Sequence, residues 1–174
     1  MRKALYFLGI LNDADIDWLV AAGSRRQIAA GSTLIEEGRA IDSVFLVIDG
    51  AFSVRTKALG NREIARLMSG EVMGEMSFVD HAPPSATVQS LEKSFVLDVP
   101  RRRLNVKLAE DPGFAARFYR ALSMFLAARL RVTNAALAGG TADDSEGEMD
   151  FDALDNVSRA GARFDWIQKR LRSG

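Results

Sequence analysis

Residues 74–88 read GEMSFVDHAPPSATV and gather several kinds of polar chemistry in one short stretch. Gly74 and Glu75 open a short apolar helical turn through Met76 and Ser77. Pro83-Pro84 makes a corner, and the small residues Ser85 and Ala86 lead into a strand. Such a stretch suits a small anion pocket, because the first amides of a helical turn donate hydrogen bonds and glycine lets a ligand approach the backbone closely. One ingredient is missing. Pro84 carries neither a charge nor a backbone N–H, so the corner itself gives an anion no donor.

Other chemistries are excluded by composition. The chain has no cysteine, which removes disulfides, thiolate catalysis and cysteine-ligated metals. His81 is the only histidine, so no histidine-rich metal site can form, and the carboxylates of the folded part make no suitable cluster. A metal-dependent cupin would suit the strand pattern, but it lacks ligands here. A non-catalytic protein is therefore expected. Lys+Arg and Asp+Glu both number 23, so the formal net charge is zero and nothing global draws the chain to nucleic acid or an anionic membrane. The opening MRKALYFLGIL has two basic residues before a short apolar run, but Asn12-Asp13-Ala14-Asp15 breaks it. No stretch reaches the length of a transmembrane segment, and the sequence predicts a cytoplasmic location.

The elements that must position residues 74–88 can be read from periodicity. Residues 5–11 form a short helix or turn, and Asn12 or Asp13 could cap a second helix carrying Ile16, Leu19 and Val20. From residue 25 to 99 the texture is that of short strands, at 32–35, 43–48, 51–56, 63–68, 86–90 and 94–99, separated by glycine-bearing turns. Asp49-Gly50 between two of them predicts a tight hairpin. The class implied is α+β: an antiparallel β-roll or jelly roll flanked by helices.

After Pro100 the pattern turns helical. A short helix covers 101–109, and Asp111-Pro112 offers an N-cap followed by proline at the first helical position of a long helix to about residue 138. Phe114, Phe118, Leu122, Phe125, Leu126, Leu130, Val132 and Leu137 spread over more than one face of it, which implies either a twofold mate or burial within one chain. The layout expected is one domain over 1–138, with the roll at 25–99 and helices at 101–138. An acidic linker over 139–155 and a basic amphipathic tail helix over 156–174 follow. The tail places Val157, Ala160, Phe164, Ile167 and Leu171 at helical spacing among five basic residues. It could dock on its own domain, pair with a protein partner or touch a membrane surface.

With this order of elements, the chain resembles the cyclic nucleotide-binding domain family over about residues 5–137. IAAGSTLIEEGRAIDSVFLVIDGAFSV carries the paired turn glycines Gly38 and Gly50. LMSGEVMGEMSFV matches the approach to the phosphate-binding cassette with Gly70, Gly74 and Glu75, and ARLRVTNAAL is similar to the end of the dimer helix of the bacterial catabolite activator. The resemblance implies a regulatory or sensor domain for cAMP or cGMP, without a cofactor, dimeric through the long helix. Gly74, Glu75, Met76 and Ser77 would meet the ribose and phosphate, with Glu75 accepting from the ribose 2′-hydroxyl. Pro84, Ser85 and Ala86 would complete the cassette, and Thr133 and Asn134 would face the purine.

Residue by residue, plainer roles stay open: Glu75 as a helix-start acid, Thr133 and Asn134 as capping residues, His81 as an exposed loop imidazole. The family's cassette arginine is replaced by Pro84. Ser85, His81, Arg66 or Arg129 could compensate; otherwise the pocket binds weakly or serves protein contacts. The alternative is a transcription regulator of the catabolite activator type that lacks its own DNA-binding domain and acts through a partner. Only 34 residues follow the long helix, many of them acidic, so direct DNA binding is not expected.

Overall fold

The structure, a computed structural model, describes residues 7–137 and 151–172, with side chains described over 7–134 and 158–171. The expected acidic linker falls largely at 138–150, outside the described residues. The first helical residues, 7–10 (α1), lead to α2 (Asp13–Ala22), whose start is fixed by a reciprocal capping box. Asn12 Oδ1 accepts from the Asp15 N–H at 2.8 Å, and Asp15 Oδ2 accepts from the Asn12 N–H at 2.9 Å.

Eight strands follow: β1 (Ser24–Ile28), β2 (Thr33–Ile35), β3 (Ser43–Asp49), β4 (Ala51–Thr56), β5 (Arg62–Met68), β6 (Val72–Met73), β7 (Thr87–Ser90) and β8 (Ser94–Pro100). They form two antiparallel sheets, ordered β1-β8-β3-β6 and β2-β7-β4-β5. The β-roll is thus an α+β fold, as its alternation of glycine turns and β-branched runs implies. Strand β3 explains its own uninterrupted apolar run. Val44, Leu46 and Ile48 join the core beneath the helices, whereas Phe45 and Val47 join the core inside the roll with Phe52, Leu67 and Val88. A strand buried on both faces has no polar alternation to show.

The hairpin expected at Asp49-Gly50 does not form. β3 pairs with β8 and β6, and β4 pairs with β7 and β5, so the dipeptide carries the chain from one sheet to the other. Gly50 has φ +97°, and a Cβ there would fall on the Ser94 side chain. A close crossing at the sheet corner, rather than a two-residue turn, is what requires glycine.

Helix α3 (Glu75–Asp80) lies between β6 and β7, and α4 (Arg101–Glu110) leads into α5 (Pro112–Leu137). Asp111 Oδ1 caps α5 by accepting from the Phe114 N–H at 2.8 Å. Phe114, Phe118, Ala121, Leu122 and Phe125 fall at three- and four-residue spacing and are fully buried. Phe118 is the hub, with ring centroids 5.7 Å from Phe7 and 5.8 Å from Phe78. The far side of α5 leaves Tyr119, Met124 and Leu130 exposed.

Helix α6 (Phe151–Arg172) starts ahead of the expected residue 156, because acidic Asp152 and Asp155 fit the first turns of a helix, where the dipole favours them. Of the three arrangements open to the tail, docking on its own domain is the one observed. Ala160 and Ile167 are buried in the main core. Arg163 pairs with Asp13 at 2.7 Å and donates to the Leu8 and Gly9 carbonyls, and Gln168 donates to the Ile48 carbonyl at 2.8 Å. Burying a side chain such as Ile167 contributes about 2 kcal/mol.

Candidate functional site

Gly74 takes φ +81° at the start of α3, and a Cβ added there would lie 2.8 Å from Ile41 Cδ1 and 2.9 Å from the Ser43 carbonyl oxygen. Conformation and space both require glycine at this point, and the turn it makes aims Glu75 inward. Glu75 is 2% exposed. Its Oε1 accepts from Arg129 Nη1 of α5 at 2.5 Å, while Arg129 Nη2 donates to the Val72 carbonyl at 2.9 Å. Arg129 also stacks over the Phe125 ring, 4.4 Å from its centroid. Burial pushes the Glu75 carboxyl above the usual carboxylate range. Arg129 and a backbone hydrogen bond oppose this, and nearby Glu71 adds to it. Desolvation outweighs the ion pair.

The 36–41 turn joins this point to the double-proline corner. Ile41 touches Gly74 from one side of the turn. On the other, the Gly38 N–H donates to the Pro84 carbonyl at 2.8 Å and the Glu37 N–H to Thr87 Oγ1 at 3.1 Å. Gly74, Glu75 and the Pro84–Ser85–Ala86 corner are therefore held around one turn, with Pro84 and Ala86 half-buried and Ser85 exposed. Met76 is exposed and Ser77 buried on α3. Thr133 and Asn134 are exposed one turn of α5 beyond Arg129, and Thr133 Oγ1 donates to the Arg129 carbonyl at 3.1 Å.

Of the groups that could stand in for a cassette cation, only Arg129 reaches Glu75. Arg66 pairs with Glu63 at 2.6 Å, and Glu63 in turn accepts from Ser53 Oγ. His81, in the left-handed region at the end of α3, has its Nδ1 against Arg101, which also donates to the Phe78 carbonyl. The Arg129–Glu75 pair spans 54 positions, and its only signal in the sequence was helical spacing: Phe118, Leu122, Phe125 and Arg129 share the face of α5 that turns to the roll. The bridging role of Gly38 and Ile41 had no local signal.

Residues 25–111, half the chain, match the cyclic nucleotide-binding domain family. The chain belongs to that family. This cyclic nucleotide-binding domain is similar to the Pycsar effector protein XpPycTIR of Xanthomonas perforans, 27% identical over 118 residues. It is also similar to the CRP-like cAMP-activated global transcriptional regulator of Mycobacterium tuberculosis, 26% identical over 135 residues. The matches cover 67% and 76% of this chain, which spans only 38% and 58% of the length of those relatives. A solved cyclic nucleotide-binding domain from Methylobacillus flagellatus superposes with a TM-score of 0.72 at 20% identity, covering 82% of this chain and 85% of that one, which establishes the shared fold. Among the described residues no helix is long and apolar enough to cross a membrane, and no cluster of residues could hold a metal ion.

Proposed function

We propose that this cyclic nucleotide-binding domain is a non-catalytic regulatory module whose ligand site comprises Gly74, Glu75, Met76, Ser77, Pro84, Ser85 and Ala86, closed from α5 by Thr133 and Asn134. The observation that carries the reading is Arg129: one guanidinium on the long helix binds both the buried Glu75 carboxylate and the Val72 carbonyl beside α3. Anything that competes for Glu75 must disturb α5, so occupancy of the roll biases the position of the helix. The exposed Tyr119, Met124 and Leu130 on α5 supply an apolar face for a second copy or a protein partner, the output of such a shift.

Affinity for cAMP and cGMP is set low by Pro84. A charge-assisted hydrogen bond contributes about 1.5–3 kcal/mol, so its loss weakens binding by roughly ten- to a hundredfold. Calorimetric titration of cAMP and cGMP into the chain, with light scattering on the same sample, tests both parts. The expected outcome is a dimer that binds either nucleotide no tighter than about micromolar. Nanomolar affinity would refute the reading of Pro84, and a monomer would refute the dimer. A second reading, control of transcription through a separate DNA-binding partner, is favoured by the likeness to the Mycobacterium tuberculosis regulator.

A further inference from the structure

Given a ligand site at α3 and the double-proline corner, as proposed above, we infer that it prefers an uncharged ribonucleoside to a cyclic phosphate. Each cation that approaches the site is already committed to an acceptor of the chain. Arg129 holds Glu75 and the Val72 carbonyl, Arg101 holds the Phe78 carbonyl and His81, and Arg39 pairs with Glu36 at 3.4 Å. Against these stand Glu36 and Glu37 in the bridging turn, Glu71 beside the site and Glu75 within it. An arriving anion finds no unspent positive charge. If Arg129 turned to a phosphate, it would leave Glu75 buried and unpaired, and the gain at one end would be lost at the other.

An uncharged sugar meets neither difficulty. The adjacent Glu75 and Arg129 present an acceptor and a donor to vicinal hydroxyls without separating. The exposed Ser85 hydroxyl offers a neutral donor and acceptor where Pro84 offers no N–H. The flat face of a base would lie toward Thr133 and Asn134 on the next turn of α5.

The test is a calorimetric comparison of adenosine, guanosine, cAMP and cGMP on the full chain and on Pro84→Arg, which keeps the carbonyl that Gly38 uses. The wild type should bind a nucleoside at least about tenfold more tightly than its cyclic nucleotide, and Pro84→Arg should reverse that order, given the strength of one charge-assisted bond. A cyclic nucleotide binding the wild type as tightly as its nucleoside overturns the preference and leaves the site intact. The same holds if only Pro84→Arg binds, and then only to cyclic nucleotides. Failure of all four ligands on both proteins overturns the site itself, and this proposal with it.

Discussion

Helix α5 carries two arginines, Arg117 and Arg129, each bonded to an almost fully buried carboxylate from an earlier part of the chain, yet the two pairs are built differently. Arg117 meets Asp15 with two parallel bonds, Nε to Oδ2 at 2.6 Å and Nη2 to Oδ1 at 2.8 Å, and Asp15 Oδ2 also accepts from the Asn12 N–H. The fork is matched to its partner, and bonding to Asp15 raises the Arg117 pKa further. Arg129 instead splits its fork between Glu75 Oε1 and the Val72 carbonyl, and burial raises the pKa of Glu75 despite it. The first pair fastens α2 to α5 as a finished joint. The second leaves a carboxylate strained by its surroundings at the place where a ligand is expected, which is how polar groups held for binding rather than for stability tend to look. One helix thus has an anchored end and an adjustable end.

Removing the finished joint should have the largest effect. Arg117→Ala strands Asp15 in the core beneath α2, and the expected loss of stability is about 3 kcal/mol, at the low end for a buried pair because Arg117 is 34% exposed and partly screened. Urea unfolding at neutral pH measures it. A loss below about 1 kcal/mol would mean that the joint is no stronger than a surface pair.

Arg129→Ala should cost less, about 1–2 kcal/mol at neutral pH, because Glu75 has an escape that depends on pH. Its folded pKa is raised, so its contribution to stability is fully present below the ordinary glutamate value and is lost as pH rises through the folded value. Without Arg129 the folded value rises further, and mild acidification lets Glu75 go neutral. The deficit of Arg129→Ala relative to wild type should therefore shrink as pH falls from 7 toward 5, seen as converging urea midpoints. A deficit independent of pH would place the cost in lost packing on Phe125 instead.

These two pairs also mark the limit of what the sequence discloses. The roll is legible because its signals are local: glycine turns, β-branched runs, the Asn12 cap and the Asp111-Pro112 helix start each act within a few residues. The stretch Gly74–Ser77 with Pro84–Ala86 is legible as a pattern for the same reason. What is not legible depends on distant partners. Asp49-Gly50 has the chemistry of a hairpin, but Ser94, far along the chain, makes it a corner between sheets. Asp15 has the position of an ordinary helix-start acid, though Arg117 lies 102 positions away. Arg129 can be named as a candidate cation, but not its choice of Glu75 over a ligand. The start of α6 departs from expectation for a different reason, since acidic residues that signal a linker in isolation are stabilising in the first turns of a helix.

The smallest effect separates ligand binding from helix capping at the adjustable end. Thr133 is exposed, and its hydroxyl donates back to the Arg129 carbonyl, a bond that adds little because the carbonyl is in a solvated helix. Thr133→Ala should change stability by less than about 0.5 kcal/mol, the range of a surface substitution. If Thr133 meets a base, the same change should weaken binding of the preferred ligand by several-fold in calorimetry, with the unfolding midpoint unmoved. An unchanged affinity would confine the site to α3, the double-proline corner and Arg129. The two ends of α5 would then differ only in how their arginines are paired, and the helix beyond Arg129 would serve its exposed apolar face alone.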